Sequence, residues 1–177
     1  EGLGVAEAAT QKAVAYAMDR KQGRTPLGDK GTGAIIDHAD VRRMLMAMKS
    51  QTAAARAIIY DTAVSTDLAH ANGDADMAAR AAFLTPIAKA FGTDTGIEVA
   101  GLGVQVHGGM GYSRYKPFEH IYRHHRRYRI TEGSEEIQMR KVAGHLFGFM
   151  GPGKHGQPKG EKDNRGECAE PTDFAVR

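Results

Sequence analysis

An all-α, up-and-down helical bundle is the fold this sequence predicts, and three observations predict it. Alanine is abundant, aromatic residues make up 7% of the chain and tryptophan is absent, so a core must come from Ala, Leu, Ile, Val and Met on closely packed helices. Apolar residues recur at i, i+3 and i+4 over long stretches. Short breaks rich in Gly, Pro and Asn separate those stretches, as connections between successive helices do. A length of 177 residues with 41% hydrophobic content accommodates one domain, placed at 1–150, with an appendage at 151–177.

The first helix carries Leu3, Val5, Ala6, Ala9, Ala13, Tyr16 and Ala17 on one face and ends by Gly23. A loop, "RTPLGDKGTGAII", follows. Asp37 then reads as an N-cap, with Asp40 in the first turn of a helix whose stripe is Val41, Met44, Leu45, Met48, Thr52, Ala55, Ile59 and Thr62. "NGD" at 72–74 breaks it. The third stripe runs through Met77, Ala81, Leu84, Ala88, Phe91, Thr95, Val99, Leu102 and Val106, and Pro86 within it predicts a kink or a division into two.

"GGMGY" at 108–112 stops the third helix, and Pro117 suits the first turn of a fourth, "FEHIYRHHRRYR". After "ITEG", Ser134 is an N-cap candidate with Glu135 and Glu136 in the first turn, where the helix dipole favours acids. This fifth helix carries Ile137, Val142 and Leu146. From Gly151 the composition turns to Gly, Pro and charge, and a flexible tail or linker is expected.

The net charge of +3 is modest and owes much to one cluster, so the total does not imply nucleic-acid binding. A single cysteine, Cys168, excludes an internal disulfide and fits a reducing compartment. No apolar run approaches the roughly 20 residues of a membrane span, and no signal-peptide pattern opens the chain, so a cytoplasmic location is expected, or the mitochondrial matrix in a eukaryote. The start, without an initiator methionine and already helical in pattern, reads as a piece of something longer.

Metal chemistry finds little support. No Glu is followed by His at i+3, as di-iron bundle sites require, and His120 and His124 alone have chelating i, i+4 spacing, among arginines that oppose a cation. These histidines read as partly exposed and hydrogen-bonded. The cluster Arg114, Lys116, Arg123, Arg126, Arg127 and Arg129, interleaved with Tyr115, Tyr122 and Tyr128, could bind nucleic acid or a phosphorylated ligand; its plain reading is a solvated or intersubunit face. "GLGVQVHGGMGY" lacks the spacing G-x-G-x-x-G and follows a helix, so it is no dinucleotide fingerprint, but its glycines next to Gln105 and His107 let a backbone approach a phosphate or ribose. Glu132, in a short break between helices, is placed as catalytic residues often are, although an exposed loop acid is the bland alternative.

Taken together, "QVHGGMGY", "IYRHHRRYRI" and "TEGSEEIQMRKVAGHLF", in this order, resemble the C-terminal helical domain of the acyl-CoA dehydrogenases, whose pattern is a Q-x-x-G-G-x-G-[YF] turn, an R-D-A-R type helix and an E-G-[TS]-x-x-I-Q element. "YAMDRKQGR" looks like that family's corresponding helix end. The resemblance implies that Glu132 is the catalytic base, taking the α-proton of an acyl-CoA while the β-hydrogen leaves as hydride to FAD, to give a trans-2-enoyl-CoA. It implies Gly133 against the substrate, and a thioester oxygen bound by the backbone N–H of the glutamate and a flavin ribityl hydroxyl. By the same resemblance Arg20, Gln105, Gly108 and Gly109 contact the pyrophosphate and adenosine half of an FAD held largely by a neighbouring subunit, and Ser134 and Glu136 contact FAD beside the base.

The family's assemblies, commonly dimers or dimers of dimers, and its electron acceptors imply a homodimer or homotetramer and an electron-transfer flavoprotein or similar partner. The sequence departs from the pattern at His124, in place of the R-D-A-R aspartate, at Thr131, where many members have Tyr, and at Glu136. The stretch "GRTPLGDKGTGAIIDHADVRRMLMAMK" looks like a branch acting on larger or thioether-bearing acyl-CoAs. Lacking the family's N-terminal and β domains, this segment is expected to be inactive alone. The competing reading is a non-catalytic helical module that binds nucleic acid or a protein through its Arg-rich helix.

Overall fold

The computed structural model describes residues 1–26, 32–115 and 117–147. The expected tail at 151–177, with Cys168, and Lys116 of the basic cluster lie outside them. Helices α1 (Gly2–Asp19), α2 (Ala39–Asn72) and α3 (Ala75–His107) form the bundle. The short α4 (Gly109–Tyr112), then α5 (Phe118–His125), a 3₁₀ turn (Arg126–Arg129) and α6 (Glu135–Phe147) follow. No strand longer than a single bridge occurs among the described residues.

Ala6, Ala9, Ala13 and Ala17 recur at three- and four-residue intervals and are fully buried, so α1 presents a flat methyl face that lets its backbone lie close to α3. Met48 and Val99 fill the space between α2 and α3 with no exposure at all. The hydroxyls of Thr10 and Thr52 are buried in this core, donating to the carbonyls of Ala6 and Met48 one turn back at 2.8 and 2.7 Å, which satisfies them without breaking either helix.

One expectation changes and another narrows. Asp37 does not cap α2: it ends a 3₁₀ turn (Ile35–Asp37), pairs with Arg42 at 3.2 Å, and leaves His38 at the N-cap. Pro86 does not divide the third helix, which stays helical from Ala75 to His107 with Pro86 buried inside it. Packing on both sides of α3 outweighs the one lost ladder bond. The expected break at 72–74 is present, with Gly73 left-handed at φ 64° and the Asp74 carboxylate accepting from the Asp76 and Met77 amides at 3.0 Å.

The α3 helix is the hub: α1, α2, α5 and α6 all pack on it. Its buried set includes Ala90, Gly92, Gly96, Ala100 and Gly103, small residues where other chain segments come close, while Phe91 of the expected stripe is partly exposed. The expected fifth-helix stripe is likewise not core. Ile137 and Leu146 are exposed and the buried residue of α6 is Gln138, because this helix is anchored by polar bonds to backbone.

Candidate functional site

The segment that carries Glu132 begins where α5 tightens into a 3₁₀ turn and ends at α6. Glu132 sits at φ 58° and Gly133 at φ 91°, making Glu132 the one non-glycine residue with positive φ among the described residues. The left-handed conformation costs a side-chain-bearing residue on the order of 1–3 kcal/mol, so neighbours must hold it. Two side chains do. The buried Gln138 amide donates to the carbonyls of Glu132 (3.0 Å) and Gly133 (3.4 Å), and Lys89 of α3 donates to those of Gly133 (2.7 Å) and Arg129 (3.3 Å). A Cβ on Gly133 would lie 2.7 Å from the Gln138 amide nitrogen, so glycine is required there on two counts.

The two ends of the segment are tied to each other and to α3. Arg129 donates through Nε to Glu135 at 2.8 Å, and its Nη2 also bonds Glu135. Arg129 Nε lies 2.6 Å from Asp94 Oδ1 as well, but its N–H points to Glu135, so the Asp94 contact is an ion pair without a formed hydrogen bond. Burial first, and then the nearby Glu135 carboxyl, push Asp94 up to about 6, whereas the Asp94 contact and Arg129 draw Glu135 down. Asp94 is thus the member of the pair that takes up a proton first as the pH falls. Further along, the Ser134 hydroxyl and the Glu136 amide stabilise the Glu136 carboxylate and lower its pKa.

Glu132 and Thr131 line a cavity of about 570 Å³ together with Tyr128, Arg127, Lys89, Ala88, Thr93, Gly92, Ile59 and the first two residues of the chain. Ile59, Ala88 and Gly92 are its apolar lining, the other side chains are polar or charged, Glu132 itself is exposed, and the Arg127 guanidinium lies over the Tyr128 ring at 4.9 Å. A carboxylate beside such an apolar strip can meet a C–H bond of a bound acyl group.

A second cavity, of about 440 Å³, gathers Arg20, Gly108 and Gly109 with Tyr16, His107 and Met110. The Arg20 carbonyl accepts from the Ile35 amide at 2.8 Å, which fixes the helix end against the turn beyond it. The space above Gly108 and Gly109 is open, with nothing within 4 Å of where a Cβ would be. A guanidinium beside uncovered glycine backbone fits a phosphate-bearing group such as the pyrophosphate of FAD. Gln105 is exposed one turn earlier, its carbonyl accepting from Gly108, and does not line the cavity.

The expected site residues therefore fall into two groups, Glu132, Gly133, Ser134 and Glu136 on one segment and Arg20, Gly108 and Gly109 around the other cavity, and the two cavities share no lining residue.

His107 is a core residue, stacked on Tyr16 at 4.2 Å and against Phe118 at 4.0 Å. His120 and His124 are exposed, but His125 is fully buried against Gly96. Neither ring nitrogen of His125 makes a well-formed hydrogen bond; burial pushes its pKa down, and the Thr93 backbone offsets part of that. Of the basic cluster, Arg129 is turned inward while Arg114, Arg123, Arg126 and Arg127 stay exposed. No group of three metal-ligating side chains occurs among the described residues. Lys89, Gln138 and Asp94 were not foreseen. Lys89 did carry a signal, as the lone charge between Arg80 and Asp94 on an apolar helix.

Residues 1–147 match the family described as "Acyl-CoA dehydrogenase, C-terminal domain". The chain is 40% identical over 148 residues to a 3-methylmercaptopropionyl-CoA dehydrogenase of Ruegeria pomeroyi, covering 81% of this chain and 25% of that protein. It is 29% identical over 148 residues to the caffeyl-CoA reductase–Etf complex subunit CarC of Acetobacterium woodii, covering 83% of this chain and 34% of that one. Among solved structures it superposes on butyryl-CoA dehydrogenase from Megasphaera elsdenii with a TM-score of 0.67 at 30% identity, over 82% of this chain and 33% of that chain. The chain thus spans a quarter to a third of these relatives.

Proposed function

Because this chain belongs to the acyl-CoA dehydrogenase family, we propose that it supplies the catalytic base and part of the flavin site of an FAD-dependent enzyme that oxidises an acyl-CoA thioester to a trans-2-enoyl-CoA. The observation that carries this reading is the strained left-handed Glu132 at the edge of the 570 Å³ cavity. The acyl chain lies against Ile59, Ala88 and Gly92, and the Glu132 carboxylate takes the proton from the α-carbon. The electrons of that C–H bond form the Cα=Cβ double bond as hydride leaves the β-carbon. FAD, when bound, supplies the acceptor for that hydride. Gly133 lies beside the thioester, and the Glu132 amide donates to its oxygen as enolate-like charge develops there.

Arg20, Gly108 and Gly109 would hold the pyrophosphate half of an FAD, with Gln105 one turn earlier as a further contact, and Ser134 and Glu136 would contact FAD beside the base. Since the cavity of Arg20 is separate from that of Glu132, this reading gives the two groups to different flavins of a homodimer or homotetramer. An electron-transfer flavoprotein as acceptor is supported by the relative named as a subunit of an Etf complex. No helix among the described residues is long and apolar enough to cross a membrane.

In the enzyme that carries this chain, Glu132→Gln removes the base and keeps the shape. Anaerobic bleaching of the flavin by acyl-CoA is expected to slow by at least about 100-fold with FAD still bound. Bleaching at the unaltered rate would overturn the assignment.

A further inference from the structure

We infer that Lys89 is a positioning residue for Glu132, holding the backbone of its turn in the conformation that delivers the carboxylate into the cavity. The inference rests on the reading of Glu132 as base. A non-glycine residue at φ 58° returns to the right-handed or extended region unless its surroundings prevent it. Lys89 prevents it from outside the segment. Its ammonium reaches up from α3 and bonds two carbonyls that straddle the turn, Arg129 (3.3 Å) before it and Gly133 (2.7 Å) after it.

Gln138 bonds the same turn from α6, which begins two residues after Gly133 and packs on α3 in its turn, so its hold on the turn reaches α3 only through that helix. The Arg129–Glu135 pair closes the segment on itself, and Asp94 anchors that pair to α3. Lys89 is the contact that fixes the turn's own carbonyls to α3, which also provides Ala88, Gly92 and Thr93 to the cavity wall. Through it the distance between base and wall is set by one rigid element. An ammonium suits this task, because charge-assisted bonds to carbonyls are stronger than neutral ones and three donors leave room for two acceptors at an angle.

The test uses the flavin-loaded enzyme that carries this chain, with Lys89→Met, Lys89→Arg and Glu132→Gln side by side. Lys89→Met is expected to slow flavin bleaching at saturating acyl-CoA by about 10- to 100-fold, the scale of a misplaced catalytic group, with the half-saturating acyl-CoA concentration nearly unchanged. Amide hydrogen exchange across residues 130–137 should accelerate in the same variant. Lys89→Arg, which keeps charge and donors, should recover both.

Unaltered bleaching and exchange in Lys89→Met, with Glu132→Gln inactive, would overturn the inference and leave the reading of Glu132 standing. A raised half-saturating concentration with an unaltered maximal rate would also overturn it, making Lys89 a substrate contact. If Glu132→Gln bleaches normally the reading itself is lost, and with it the inference. If Lys89→Met does not fold, Lys89→Gln replaces it. Its shorter amide cannot bridge both carbonyls, so wild-type rate and exchange in that variant would equally overturn the inference.

Discussion

The two sides of α3 are held in opposite ways. Towards α1 and α2 the buried contacts are mostly methyls and a thioether, with Ala6, Ala9, Ala13, Ala17, Met48 and Val99 all fully buried and the Arg80–Asp61 and Gln51–Glu98 pairs confined to the exposed edge. Towards the segment that carries Glu132 they are an ammonium on carbonyls, a guanidinium between two carboxyls, and a histidine seated on a glycine. Apolar burial is non-directional and fixes how near two helices lie. Hydrogen bonds to a particular carbonyl fix a backbone dihedral, and a residue that must stay in a disfavoured region needs that kind of hold. The bundle side sets the scaffold, and the polar side sets the turn on it.

The comparison breaks most visibly at Met48. Met48→Ala empties a fully buried site between α2 and α3 and should cost about 2–5 kcal/mol in denaturant unfolding. A loss below about 1 kcal/mol would mean that the bundle side is not the stabilising one.

Gly96→Ala sharpens it. On a free helix this change stabilises by about 0.5–1 kcal/mol, yet here the new methyl would lie 2.1 Å from His125 Nε2 and should destabilise by about 1–3 kcal/mol. In a His125→Ala background the sign should reverse. A sign that does not change between backgrounds would show that His125 does not set the spacing of α5 on α3.

The smallest expected effect is in pH dependence. Asp94 is raised to about 6 by burial and the Glu135 carboxyl, so it binds its proton more tightly folded than unfolded. Its contribution to stability is present below the unfolded value near 3.8 and is lost as pH rises through about 6. The opposite shift of Glu135 works against this within the pair, so the net slope is shallow. Asp94→Asn should flatten the fall in thermal midpoint between pH 4 and about 6. An unchanged slope would place the proton elsewhere in the cluster.

Much of this was legible in the chain. The break at 72–74, the stripes of α1 and α2 and the interruption at Glu132 follow from spacing and from residues whose preferences are local. The second face of α3 was not, because Ala90, Gly92, Gly96 and Gly103 carry almost no apolar signal of their own. Their meaning is the closeness of a neighbour, and only the neighbour reveals it. His125 is of the same kind. In sequence it is one of two adjacent histidines among arginines; in the fold it faces a glycine and is sealed, while His124 next to it stays in solvent.

By itself, then, the sequence determined the helices, their order and the place of the acidic residue between two of them, since helix propensity, caps and 3.6-residue periodicity are properties of neighbours along the chain. The tertiary structure alone decided that Glu132 is left-handed, that Lys89 and Gln138 hold it so, and that Arg20 and Glu132 open onto separate cavities. Gln138 is only six residues from Glu132, but the Lys89 contact and the two cavities depend on groups brought together from distant parts of the chain, Lys89 and Gly133 being 44 residues apart, and no local preference encodes such a meeting.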